Sequence, residues 1–219
     1  MTKLTFNKFI NSRKTFLTAY KNVDHKILTG TNNILISVPH CVQQVRLGKH
    51  KVQELGSLPI ALFLQEQTNC FLIAKTQCNN DDVNFDENSS YKNSIRRLIK
   101  EHNIKFILDL HGLASFRECD INLGTHLGNN IKNDIELFNQ LDNNLKNNGF
   151  QVSIDQPFMA NAKTISSCMA KEFKHIWSLQ IEINSKITNK KENFNLNYKL
   201  LEVLNEWITK INTKNTLSN

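Results

Sequence analysis

The chain has 219 residues, 40% of them hydrophobic and 21% charged, which is enough to build one substantial core and excludes an intrinsically disordered chain. No apolar run approaches the ~20 residues needed to cross a bilayer, and the polar, basic start MTKLTFNKFINSRK lacks the apolar segment of a secretory signal, so a cytoplasmic location is expected. The formal net charge is +7, but the lysines are scattered without interleaved aromatics, whereas a nucleic-acid-binding stripe would cluster; neither nucleic acid nor membrane is an expected partner.

Residues 1–32 read as an N-terminal extension packed on a single catalytic domain that spans 1–219. NILISVP (33–39) is a β-branched run stopped by proline, a buried strand. From Lys51 to Gln65, Val52, Leu55, Leu58 and Leu62 fall at helical spacing despite Pro59. CFLIAK (70–75) is a second strand. The acidic run DDVNFDENSS (81–90) reads as a solvated loop, or as a pocket wall that favours a basic group. YKNSIRRLIKEH (91–102) puts Tyr91, Ile95, Leu98 and Ile99 on one helical face, and KFILDL (105–110) is a third strand.

Beyond it, DINLG (120–124) is a short strand. IKNDIELFNQLDNNLKNNG (131–149) carries a stripe of Ile131, Ile135, Phe138, Leu141 and Leu145, with Gly149 placed to end the helix. FQVSI (150–154) alternates like a strand, TISSCMAKEF (164–173) reads as a helix, WSLQIEI (177–183) as a strand and YKLLEVLNEWITKI (198–211) as a closing amphipathic helix. No repeat, linker or break in composition divides the chain. Strands alternating with helices predict a three-layer α/β/α sandwich around a mixed, mostly parallel central sheet.

Five cysteines (Cys41, Cys70, Cys78, Cys119, Cys168) are odd in number and form no C-x-x-C, which argues for reduced thiols over disulfides or a thiolate zinc site. The 31 asparagines are dispersed, not gathered in tracts, which reads as a bias in composition and not as a prion-like segment.

In open α/β sheets, chemistry gathers beyond the carboxyl ends of the strands. There the first strand delivers His40, in SVPHC, and the third delivers His111, in DLHG. Asp109 and His111 share one face of an extended strand, and Gln180, Glu182 and Asn184 share one face of the late strand. A buried strand has no use for polar side chains on one side unless they are paired or bind something. Two histidines with one or two carboxylates form a zinc set with an open position for water, and an ionised Glu182 suits the base that takes the water's proton. Simpler readings stand beside this one: His40 as a turn residue, Asp109 capping a turn, Glu182 paired with a lysine.

The segments ISVPHCVQQVRLGKHKVQELGS, NNDDVNFDENSSYKNSIRRLI, FILDLHGLASFRECDINLGT, NGFQVSIDQPFMANAKTI and WSLQIEIN, in this order over about residues 34–184, resemble the N-formylglutamate amidohydrolase family. The resemblance implies a phosphorylase/hydrolase-like α/β/α fold related to zinc carboxypeptidases. It also implies hydrolysis of an amide or N-acyl bond next to a carboxylate, in a small-molecule or peptide-like substrate, with one zinc (Zn2+) or another divalent metal per chain. His40 and His111 become ligands and Glu182 the general base. The compact H-x-x-E of the carboxypeptidase-type pattern is missing, because Gln43 stands three residues after His40. The segment GKHKVQELGS resembles the family's K-x-x-E and makes Glu54 the third ligand, with His50, one helical turn earlier, as the alternative. Asp109 then orients an imidazole or binds the metal itself. A substrate carboxylate calls for an arginine fork, and Arg46 and Arg117 flank the ligands, while Arg96 and Arg97 read as surface residues. Asn161 and Lys163 belong to a rim loop. The missing H-x-x-E also leaves open a non-catalytic, ligand-binding relative of the same fold.

Overall fold

The computed structural model describes residues 4–132, 134–161 and 163–216. In chain order the elements are α1 (Phe6–Ala19), β1 (His25–Leu28), β2 (Ile34–Val38), a hairpin of β3 (Gln44–Arg46) and β4 (Lys49–Lys51), α2 (Ser57–Thr68), β5 (Phe71–Lys75), α3 (Ser90–His102), β6 (Phe106–Leu113), β7 (Ile121–Gly124), α4 (Ile135–Asn147), β8 (Val152–Ile154), α5 (Ile165–Glu172), β9 (Trp177–Asn184), α6 (Ser185–Thr188) and α7 (Phe194–Thr216).

Seven strands form one mixed sheet in the order β1-β5-β2-β6-β9-β7-β8. The central run β5-β2-β6-β9 is parallel throughout, while β1 and β7 join it antiparallel to β5 and β9. Strands sandwiched between helices need apolar residues on both sides, and the alternation divides these residues into two cores. Ile34, Ile36, Leu72, Ala74, Leu108, Leu110, Leu179 and Ile181 face α1, α2, α4 and α7. Leu35, Phe71, Ile73 and Ile107 face α3 and α5. The sheet is thus the middle layer of the expected α/β/α sandwich. On the first face Trp177 and Trp207 are fully buried with ring centroids 5.8 Å apart, joining the central sheet to α7.

The helix expected from Lys51 to Gln65 needs correcting. Lys51 ends a strand, residues 52–56 form a connection, and α2 starts only at Ser57. Val52 is 87% exposed and Leu55 40% exposed, so their helical spacing with Leu58 and Leu62 buries nothing. Pro59 lies in the first turn of α2, where its missing N–H leaves no helical bond unmade. The stripe from Ile131 also begins too early: the Asp134 side chain accepts the Leu137 N–H, and α4 begins after that cap. Asn133, inside that stripe, lies outside the described residues. The closing helix starts earlier than its apolar stripe, at Phe194.

Past its first three positions, which lie outside the described residues, the N-terminal extension is part of the fold. Phe9 and Phe16 of α1 are buried in the first core, and β1 supplies an edge strand. Among the described residues, no helix is long and apolar enough to cross a membrane.

Candidate metal centre

The face of the sheet toward α3 and α5 is apolar where the parallel strands begin and polar where they end. Two rows of side chains cross it. In the first, Ser37 of β2 stands opposite Asp109 of β6, which stands opposite Gln180 of β9. In the second, one step closer to the strand ends, His111 stands opposite Glu182, and Glu182 opposite Asn122 of β7. All six are buried. The period of two that sends Leu108 and Leu110 into the opposite core is what puts Asp109 and His111 here.

The first row steadies the second. The Ser37 hydroxyl donates to Asp109 Oδ1 over 2.8 Å, and Asp109 Oδ2 lies 3.2 Å from His111 Nε2. The chain leaves β2 through Pro39 to His40, makes the β3–β4 hairpin, and returns so that the Glu54 N–H donates to the His40 carbonyl over 2.8 Å. That return places the Glu54 carboxylate between the two imidazoles. Its Oε1 is 2.9 Å from His40 Nδ1, and its Oε2 is 3.4 Å from His111 Nδ1 and accepts the Gly112 N–H over 2.8 Å. The rings of His40 and His111 are 4.8 Å apart at 76°.

One donor atom from each of His40, Glu54 and His111 lies within 4.8 Å of the others. The far nitrogen of each imidazole meets a carboxylate: His40 Nε2 is 2.8 Å from Asp82 Oδ1, as His111 Nε2 is near Asp109. In a neutral imidazole, a hydrogen on Nε2 facing the carboxylate would leave Nδ1, turned toward Glu54, as the ligating atom. Two such imidazoles and a carboxylate are a donor set that zinc accepts with a fourth position to spare. The residues present fit a divalent cation.

These charges shift one another. Burial pushes the Glu182 carboxyl up to about 7, opposed by the His111 imidazole. Burial would also raise Glu54, but His40 and His111 hold it well below the usual carboxylate range. Burial works against protonating His111, yet Asp109 and Glu54 raise it well above an ordinary histidine. His40 is raised in the same way, by Glu54 and Asp82. Two carboxylates that share a wall thus sit far apart in acidity because one has imidazole partners and the other has chiefly burial.

A 420 Å³ cavity opens over this centre, lined among others by His40, Glu54, His111, Gln180 and Glu182. Arg46 and Arg117 also line it, as do Asn84 and Asn161. Arg46 donates through Nε to Asp82 Oδ2 over 2.7 Å and lies over the Phe85 ring at 4.8 Å. Arg117 is exposed at the rim beside the rings of Phe116 and Phe158, at 5.1 and 6.0 Å, and pairs with no acid among the described residues. Lys163 stacks over Phe85 at 4.4 Å. Arg96 and Arg97 pair with Glu172 and Glu101, away from the cavity.

Two expectations are corrected here. His50 is not one helical turn before Glu54: it is an exposed residue of β4, opposite Val45, and stands outside the group. The acidic run 81–90 is not simply a solvated loop. Asp82 is fully buried, and besides His40 and Arg46 it has Lys51 at 3.6 Å. Its carboxyl is held well below the usual range, against burial, by His40 and Arg46. A signal was there to read: in DDVN, an apolar Val83 between two polar residues marks backbone that turns inward, and Val83 and Asn84 are both buried.

No family model and no curated protein matches this sequence. Among solved structures, the chain is similar to the Atu2144 gene product from Agrobacterium tumefaciens, with a TM-score of 0.67 and 13% identity over 90% of this chain and 97% of that one. It is similar to an N-formylglutamate amidohydrolase from Ralstonia eutropha JMP134, with a TM-score of 0.61 and 12% identity over 87% of this chain and 98% of that one. It is also similar to a metallo-carboxypeptidase from Burkholderia cenocepacia, with a TM-score of 0.51 and 11% identity over 95% of this chain and 69% of that one. The resemblance drawn from the sequence motifs holds at the level of the fold.

Proposed function

We propose that this chain is a zinc-dependent amidohydrolase that cleaves the amide or N-acyl bond of a small, carboxylate-bearing substrate such as an N-acyl amino acid or short peptide. One observation carries the reading: His40, Glu54 and His111 present three donor atoms to one point, each imidazole backed by its own carboxylate, beside a buried glutamate whose proton affinity lies near neutrality. The shared fold with an amidohydrolase and a metallo-carboxypeptidase supports it.

His40, Glu54 and His111 would hold the cation. When bound, a divalent cation lowers the pKa of water to about 7 and polarises a carbonyl. The chain's own groups supply the rest. Glu182, ionised, takes the proton of the attacking water as the C–O bond forms, and passes it to the nitrogen as the C–N bond breaks. Gln180 donates to Glu182 Oε1 over 2.9 Å and so fixes where the carboxylate points. Asp82 and Asp109 keep both imidazoles in the ligating tautomer. Arg117, at the rim and paired with no acid among the described residues, is the fork best placed for a substrate carboxylate, because Arg46 already spends its Nε on Asp82.

Elemental analysis of the purified chain should find one zinc per chain, and His111→Ala should remove both the metal and the turnover of an N-acyl amino acid panel. Glu182→Gln should keep the metal and slow turnover by ~10²–10⁴-fold. A chain that binds no divalent metal stoichiometrically overturns the proposal. A Glu182→Gln variant with full activity removes Glu182 from the chemistry.

A further inference from the structure

The two candidate ligands nearest in sequence, His40 and Glu54, are joined by a long excursion that includes a solvent-facing hairpin. A short turn between two ligands fixes their relation by covalent geometry. A loop of this length does not, because holding its ends together costs closure entropy that other contacts must offset. Something else must hold them.

One tie is the backbone bond from the Glu54 N–H to the His40 carbonyl. A second comes from outside the loop. Arg13, on α1, reaches across so that its Nη2 donates to the Cys41 carbonyl over 2.8 Å and to Gln53 Oε1 over 2.9 Å. Cys41 follows His40, and Gln53 precedes Glu54. The guanidinium therefore joins the backbone beside one ligand to the side chain beside the other, at the base of the loop. Its Nε is buried with no partner among the described residues, so Nη2 spans both acceptors while one hydrogen bond is left unmade. The helix that carries it is itself fixed, with Phe9 and Phe16 in the large core. Cys41 is anchored from its other side, its thiol donating to the Lys75 carbonyl over 2.8 Å.

We propose that Arg13 is a positioning residue for the metal pair, acting through Cys41 and Gln53 to hold His40 and Glu54 in register, and that the N-terminal helix is thereby a working part of the site. This rests on the metal-dependent reading above. It adds that a residue outside the cavity sets how well the cation is held. Partners that hydrogen-bond a metal ligand directly typically change affinity 10–100-fold when lost, and Arg13 acts one residue further out. Arg13→Ala should therefore bind zinc severalfold more weakly, measured by competition with a chromophoric chelator, and should alter the visible absorption of the cobalt(II)-substituted protein. Arg13→Lys, which keeps one donor for the Cys41 carbonyl, should recover part of the affinity.

Leu145→Ala loosens the same core from α4, away from α1 and the loop, and serves as the control. It should lower the melting temperature while leaving the zinc affinity and the cobalt spectrum as in the parent. If Arg13→Ala matches the parent in affinity and spectrum, the assignment falls while the metal site stands. It falls equally if Leu145→Ala weakens zinc as much as Arg13→Ala does, since Arg13 would then act only through general stability. A parent protein that binds no zinc overturns the metal reading itself, and Arg13's role with it.

Discussion

Gly112 sits where two chain segments meet behind the proposed metal. Its N–H holds Glu54 Oε2, and a Cβ placed on it would lie 2.9 Å from Glu54 Cβ and 3.1 Å from Glu54 Cγ. No real Cβ contact is that close, so alanine must push Glu54 away from the imidazoles. Gly112→Ala should weaken zinc binding at least tenfold and destabilise the fold by ~1–3 kcal/mol, as overpacking does. Chelator competition and a thermal melt check both, and unchanged zinc affinity would mean that Glu54 is not a ligand. The glycine of DLHG is thus explained by a residue far upstream, a relation no local pattern contains. What was legible locally was the face shared by Asp109 and His111, because a strand's period of two needs no partner to be read. Glu54 was reached only through the family resemblance. Asp82 was missed because a carboxylate in an acidic run looks solvated until its partner, His40, 42 positions away, is in place.

At the level of elements, long apolar runs were legible and short ones were not. β2, β5, β6 and β9 lie within a few residues of their predicted limits because each buries both faces. The three-residue strands β3 and β4 are too short to show a period, and β4 is mostly exposed and charged. β1 was equally hidden: all four of its residues are only partly buried, and an ion-pair cluster at its start adds to its ladder with β5. Next to it, Asp24 meets the buried Lys75 ammonium, the Ser90 hydroxyl at 2.6 Å and His25 at 2.7 Å. Burial opposes ionising Asp24, but Lys75, Ser90 and His25 win and hold its carboxyl well below the usual range. A depressed folded-state pKa contributes stability that is present above the unfolded value of about 4 and lost as pH falls through the folded value. Asp24→Asn should therefore cost on the order of 1–2 kcal/mol at pH 7, from a charge-assisted bond lost to a buried lysine. The gap between parent and variant should start to narrow below about pH 4 and close only well below it. A gap independent of pH would show that the ionised carboxylate is not what ties β1 to β5.

For the whole molecule, the consequence is an unequal division of labour between the two faces of the sheet. The face under α1, α2, α4 and α7 is apolar along its length and carries the stability, whereas the face under α3 and α5 spends its outer half on Glu54, Asp82, Asp109 and Glu182 around two imidazoles. Without a cation, that half depends on protons. Glu182, raised from an ordinary carboxyl to about 7, contributes stability fully present below about pH 4.5 and lost as pH rises through 7. His40 and His111, both raised, act in the same sense, losing their ion pairs as pH climbs through their folded values. Chelator-treated protein should thus be most stable near pH 5 and should lose about 2 kcal/mol by pH 8 from Glu182 alone, roughly 4–8 °C in melting temperature for a chain of this size. Bound zinc favours the deprotonated ligands, so the zinc-loaded protein should vary far less, and the separation between the two melting curves should widen from pH 5 to pH 8. Glu182→Gln removes one titrating group and should flatten the metal-free profile in proportion. Metal-free and zinc-loaded profiles that run parallel across this range would show that the buried acids and imidazoles are balanced within the chain itself, with no place for a cation among them.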